Sequence, residues 1–125
     1  MTRFSANLGF LWTDRPLPEA IRAAARAGFA AVECHWPFDV PEAELRDALA
    51  ETGLPMISLN TRRGDVVAGD NGLAALPGRE AEARAAIDEA LAEAEAAGAR
   101  AVHVMAGRAR GAAARETFLA NLAHA

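Results

Sequence analysis

Apolar positions along the chain alternate between two spacings. Stretches in which they recur every three to four residues are each followed by a short, nearly continuous apolar run. A glycine marks the boundary at Ala27-Gly28-Phe29-Ala30-Ala31-Val32, at Thr52-Gly53-Leu54-Pro55-Met56-Ile57 and at Ala97-Gly98-Ala99-Arg100-Ala101-Val102. Glycine suits the left-handed residue just past a helix end, because it has no Cβ to clash. Before the first glycine, Leu17, Ile21, Ala24 and Ala25 share a helical face, with Pro16 near the first turn. Leu45, Ala48, Leu49 and Thr52 repeat the spacing after Pro41, and Ile87, Leu91 and Ala94 repeat it again. Glu80 and Glu82 stand at the favourable N-terminal end of that third helix. A fourth helix is expected from about Ala112, carrying Phe118, Leu119 and Leu122, with no glycine or cap before Ala125.

The apolar runs predict strands at Phe4–Leu8, Ala30–His35, Pro55–Asn60 and Ala101–Met105. Strand and helix therefore alternate, which implies a parallel sheet with right-handed crossovers. A barrel and a doubly wound open sheet both fit. No GxGxxG or GxxxxGK[ST] follows a strand, which weighs against nucleotide-binding versions. The long interval from Thr61 to Leu76 holds Gly64, Gly69 and Asn71-Gly72 and reads as a loop. A loop this long in an α/β domain is usually functional or disordered, and it follows the strand end where such folds bind ligands.

Composition narrows the class. The chain has 125 residues, 52% hydrophobic and 24% charged, as in a globular domain. That is one domain's worth, yet about half the ~250 residues of a typical TIM barrel. A net charge of −4 argues against a general nucleic-acid surface. Arg62-Arg63 and Arg108 with Arg110 are local basic spots, suited to a small anion or to solvent. Cys34 is the single cysteine, which excludes an intramolecular disulfide and a cysteine-rich zinc site. There is no signal-length apolar run at the N-terminus and no membrane-spanning stretch, so a cytoplasmic protein is the default expectation.

Polar residues gather at the expected C-terminal ends of the strands: Asn7, Glu33 with His35, Asn60, and His103. In one parallel sheet they would share one mouth. Each has two readings. Glu33 is a ligand contact or half of a structural ion pair, because a buried carboxylate needs a partner. His35 is a metal ligand or proton shuttle, or a packed ring beside Trp36. His103, between Val102 and Val104, faces a site or a core. Asn7 and Asn60 are substrate contacts or strand-end hydrogen bonders. Arg79 clamps a carboxylate bidentately, or pairs on the surface with Glu80 and Glu82. Trp12 and Trp36 wall a pocket or cover a rim, and Cys34 reads as a small buried hydrophobe. No His-x-x-x-His and no dense carboxylate cluster is present, so no metal set is visible.

Arg3-Phe4-Ser5-Ala6-Asn7-Leu8, Val32-Glu33 followed by Trp36-Pro37-Phe38, and Val102-His103-Val104-Met105-Ala106-Gly107 resemble stretches of the hydroxypyruvate isomerase family. The most specific is the loop Asn60-Thr61, Gly64-Asp65, Ala68-Gly69, Gly72-Leu73 and Ala75-Leu76-Pro77-Gly78-Arg79-Glu80. Asn60-Thr61 and the His-Val-Met-Ala-Gly run look closer to the 2-oxotetronate isomerase branch. The resemblance covers essentially the whole chain.

It implies a xylose-isomerase-like fold, of which residues 1–125 are a parallel (βα)4 half of a TIM (β/α)8 barrel, cut within helix four. It implies an aldose–ketose isomerase of sugar acids, such as hydroxypyruvate to tartronate semialdehyde, working through an enediolate with a divalent metal, Mg or Mn. The family's glutamates and metal ligands are expected beyond Ala125, so no catalytic residue or metal ligand is expected here, and the chain alone is expected to be inactive. Asn7, Glu33, Asn60 and His103 are expected to wall the substrate pocket, with Asp65 and Arg79 on a loop that covers it. His35 and Arg62-Arg63 depart from the family pattern. The alternatives are a non-catalytic half-barrel for binding or assembly, or a truncated gene product. Expected partners are a small hydroxy or oxo acid, and either a second copy or a missing C-terminal half, with no nucleic acid or membrane.

Overall fold

Four strand–helix units follow one another in the computed structural model, which describes residues 1–125. They are β1 (Ser5–Asn7), α1 (Leu17–Arg26), β2 (Ala31–Glu33), α2 (Glu42–Thr52), β3 (Ser58–Asn60), α3 (Glu80–Ala97), β4 (Ala101–His103) and α4 (Ala112–Leu122). The expected glycines Gly28, Gly53 and Gly98 take φ of 85°, 69° and 65°. At the end of α2 the Gly53 amide donates to the Leu49 carbonyl, closing the last turn.

The strands are shorter than the apolar runs. β1 and β2 pair in parallel, with Ser5 opposite Ala31, Ala6 opposite Val32 and Asn7 opposite Glu33. Met56 makes a single parallel bridge to Val32. Ile57 donates to the Val32 carbonyl at 2.7 Å and accepts from the amides of Arg100 and Ala101. Its backbone is thus satisfied on both sides outside the ladder, and β3 proper begins at Ser58 and pairs with β4.

The chain forms two compact units, one of Met1–Leu59 with Glu93–Val102, the other of Asn60–Ala92 with His103–Ala125. In the first, α1 packs on α2, and the core is Ala6, Leu8, Ile21, Val32, Cys34, Leu45, Met56 and Leu59, all 6% exposed or less. Complete burial of Ile21 stabilises by about 2–3 kcal/mol. Its helix begins just after Pro16 and carries Pro18 in its first turn, where a missing amide N–H leaves no bond unmade. In the second unit the core is small-residue rich: Leu73, Ala74, Ala75, Ala83, Ala86, Ile87, Ala90 and Ala114.

Ile87 and Ala94 of α3 are buried as expected, but leucines of α3 and α4 are not. Leu91 of α3 is 39% exposed, because Ala83, Ala86, Ile87, Ala90 and Ala94 form the inward stripe. In α4, Leu119 and Leu122 are 47% and 40% exposed, while Ala114 and Asn121 are buried. Asn121 reaches inward with both ends of its amide paired: Nδ2 donates to the Ala74 carbonyl at 2.8 Å, and Oδ1 accepts from Arg84 Nε at 3.2 Å. A polar residue with both ends paired can occupy a buried helix position.

Candidate functional site

The strand-end residues of the first unit sit where a period of two puts them. Ser5 and Asn7 lie on one face of β1, and Glu33 lies across from Asn7 on β2. The Glu33 carboxylate accepts from Ser5 Oγ at 3.2 Å and from Ser58 Oγ at 3.3 Å. A half-buried carboxylate is thereby held by hydroxyls from either side, without the ion pair that burial alone would call for. Asn7 Oδ1 accepts from the Gly9 amide at 2.9 Å, and its carbonyl accepts from Phe10 and Leu11. Asn7 therefore shapes the turn that leaves β1. His35 is a packed ring, edge-on to Phe10 at 4.9 Å and to Trp36 at 5.0 Å. Cys34 is buried as expected, and burial, with Glu93 and Glu33 nearby, pushes its thiol up to about 12.

In the second unit Asn60 and His103 meet. His103 Nδ1 stands 3.2 Å from Asn60 Oδ1. An amide oxygen only accepts, so a neutral imidazole here carries its proton on Nδ1 and leaves Nε2 as the basic nitrogen. His103 is exposed, on a strand with both alternate residues outward. Thr61, 3% exposed, braces this pair: its amide donates to the His103 carbonyl, and its hydroxyl accepts from the Met105 amide at 3.0 Å.

The loop after β3 is ordered from within. Asp65 and Asp70 form a turn in which the Asp65 amide donates to Asp70 Oδ2 at 2.8 Å and Asp65 Oδ1 accepts from the Ala68 amide. Arg79 donates to Asp70 at 2.7 Å through Nη1, and to Glu82 through Nε and Nη2. Those contacts hold Asp70 and Glu82 below the usual carboxylate range, chiefly by the hydrogen bond from Arg79, and raise Arg79 in turn. Glu80 is lowered as well, by the amides of Glu80 and Gly78 at the start of α3. Downstream, Leu73, Ala74 and Ala75 donate to the Met105 and Ala106 carbonyls, and Gly72 bridges Ala106. A Cβ on Gly72, at φ 112°, would stand 2.6 Å from the Gly107 amide nitrogen, so two glycine backbones meet where no side chain fits. Arg62 is ion-paired with Glu89 at 2.8 Å.

Asp65 and Arg79 are thus engaged in holding the loop, while Glu33 and the Asn60–His103 pair present polar groups at the strands. Ser5 and Thr61 stand out in the sequence only as members of the family-like stretches, and Ser58, Asp70 and Asn121 do not stand out at all. Ser5 and Ser58 lie two residues before Asn7 and Asn60, so the same period that selects the asparagines also selects them. No group of three or more His, Cys, Asp or Glu is placed to hold a metal ion. No helix is long and apolar enough to cross a membrane.

Comparison with known proteins accords with this layout. A Danio rerio protein assigned by name, provisionally, as a hydroxypyruvate isomerase is 44% identical over 98% of this chain and 48% of its own length. The 2-oxo-tetronate isomerase of Cupriavidus necator is 44% identical over 100% of this chain and 50% of its own. The crystal structure of a Brucella melitensis protein named AP endonuclease, family 2, superposes with a TM-score of 0.91 at 38% identity, over 99% of this chain and 49% of that one. The chain spans about half the length of the curated relatives it matches. The model of the xylose isomerase-like TIM barrel family matches residues 21–125, and this (βα)4 chain belongs to that family.

Proposed function

We propose that this chain supplies the first four strand–helix units of a sugar-acid aldose–ketose isomerase, acting on hydroxypyruvate or a 2-oxotetronate. The observation that carries this reading is similarity, over essentially all of this chain and about half of theirs, to proteins bearing those names. The reaction moves a proton from the carbon beside a carbonyl to the carbonyl carbon, through an enediolate. It needs a base with a pKa near working pH and a positive group at the developing oxygens. In this reading both belong to the barrel units that this chain does not span. A divalent ion, Mg or Mn, has no ligand set among these residues, so no step is assigned to it here.

The role left to this chain is substrate placement. Glu33, fixed by Ser5 and Ser58, accepts hydrogen bonds from substrate hydroxyls. The His103–Asn60 pair offers Nε2 to a hydroxyl proton. The net charge of −4 favours this reading over the DNA-directed one that the name of the Brucella protein suggests. The remaining barrel units, or a second copy, are the expected partner.

The test is an assay of hydroxypyruvate isomerisation with Mg2+ or Mn2+. The 125-residue chain alone is expected to be silent. A chimera joining it to the second half of the Cupriavidus necator enzyme is expected to turn over substrate. Turnover by the chain alone, or a folded chimera with none, would overturn the proposal.

A further inference from the structure

Between the end of β1, the end of β2 and the start of α1, the first unit holds an open cavity of about 260 Å³. Its walls are Trp12, Trp36 and His35, with Thr13 and Arg15 as polar groups. Three further observations bear on it. Trp12 has φ 54°, the single non-glycine residue with positive φ in the chain, and its ring is held edge-on to Phe29 at 6.1 Å. A bulky side chain in that conformation is strained, and such strain persists where the surroundings impose it, commonly at ligand sites. Gly9 gives the His35 ring its place, since a Cβ there would collide with the imidazole. Arg15 Nε is buried and makes no hydrogen bond; the guanidinium, on a side chain 33% exposed, forms only a loose ion pair with the exposed Asp14, 3.6 Å from Nε to Oδ1.

We infer that this cavity is a binding site for a small, flat-bodied carboxylate, with Arg15 pairing the carboxylate and the two indoles holding the body. A buried guanidinium N–H without an acceptor costs free energy that a ligand oxygen would recover. A planar carboxylate matches the planar guanidinium edge, and Thr13 adds a hydroxyl donor. The aromatic walls favour a ring stacked or packed edge-on over a compact, fully hydrated anion. The site lies wholly in the first unit and does not depend on the isomerase reading.

Both tryptophans of the chain line this cavity, so their two indole N–H signals report on it. The experiment is a proton–nitrogen NMR titration of the full chain with benzoate, with neutral benzamide and inorganic phosphate as comparison probes. Saturable shifts of both indole signals by benzoate are expected, with benzamide and phosphate each at least about tenfold weaker, as loss of a charge-assisted hydrogen bond or of the stacked body predicts. Arg15→Gln should weaken benzoate about tenfold, while Arg15→Lys should restore part of it. Absence of saturable shifts would overturn the site. Benzamide binding as well as benzoate would overturn the role of Arg15, and phosphate binding as well would overturn the flat-bodied class. The comparison of probes on the unaltered chain holds even if an Arg15 variant does not fold.

Discussion

The two loops that leave β1 and β3 solve the same problem in opposite ways. Both must turn the chain from a strand end into a helix. The β1–α1 loop is short and aromatic, and its packing of Phe10, His35 and Trp36, with a strained Trp12, leaves an open cavity. The β3–α3 loop is long, polar and glycine-rich, and it closes on itself through Asp65, Asp70, Arg79 and the Gly72–Gly107 approach. Length had pointed to the second loop as the place for a ligand. The structure shows its charged groups spent on one another, while the compact loop keeps a buried donor in reserve. A loop's capacity to bind depends on which donors remain after it has folded, not on how many residues it has.

Three experiments can break or sharpen that contrast. The largest effect is expected from Gly72→Ala, which adds strain at φ 112° to a collision with the Gly107 backbone. It should destabilise by about 3 kcal/mol in a denaturant titration. Gly78→Ala, also at positive φ (86°) but with nothing within 4 Å, should cost only about 1 kcal/mol. Equal losses would mean that the close approach contributes nothing. Next comes Gly9→Ala in the other loop, where the obstacle is a side chain that can swing away. A loss of about 1–2 kcal/mol, with altered indole signals, is expected; a loss as large as that of Gly72→Ala would make the aromatic loop the more rigid of the two.

The smallest effect concerns pH. Asp70 and Glu82 are held below their ordinary values, 3.8 and 4.5, by Arg79. A carboxylate lowered on folding contributes stability that is complete above its unfolded pKa and is lost as pH falls through the folded one. Amide exchange across residues 61–79 should therefore loosen as pH drops below that range. Asp70→Asn should reduce the change, because Glu82 alone then remains to pair with Arg79. An acid profile identical in the variant would remove the ion pair from the account of the loop.

Much of the fold was legible in the residues. Gly28, Gly53 and Gly98 marked helix ends, and the helix starts at Leu17, Glu42 and Glu80 followed from proline and acidic residues. Faces were less legible where alanine dominates. In α3 and α4 the apolar contrast is weak, so Leu91, Leu119 and Leu122 drew attention that the packing gives to alanines and Asn121. At the candidate site, the strand period placed Asn7, Glu33, Asn60 and His103 correctly along the strands. It did not say what each would bond, because Glu33 could be satisfied by an arginine or by two serines, and only the strand register decides. Arg79 was ambiguous for the same reason: both of its readings need a carboxylate, and the one it found, Asp70, lies nine residues back in the loop.

Cys34 makes the first unit a reporter on itself. Its thiol is the single one in the chain, it is buried, and at about 12 it is almost wholly unionised at neutral pH. An alkylating reagent must then wait for the surrounding core to part before it can react. The rate of labelling at saturating reagent therefore counts openings of Ile21, Val32, Leu45 and their neighbours, with no probe to be engineered in.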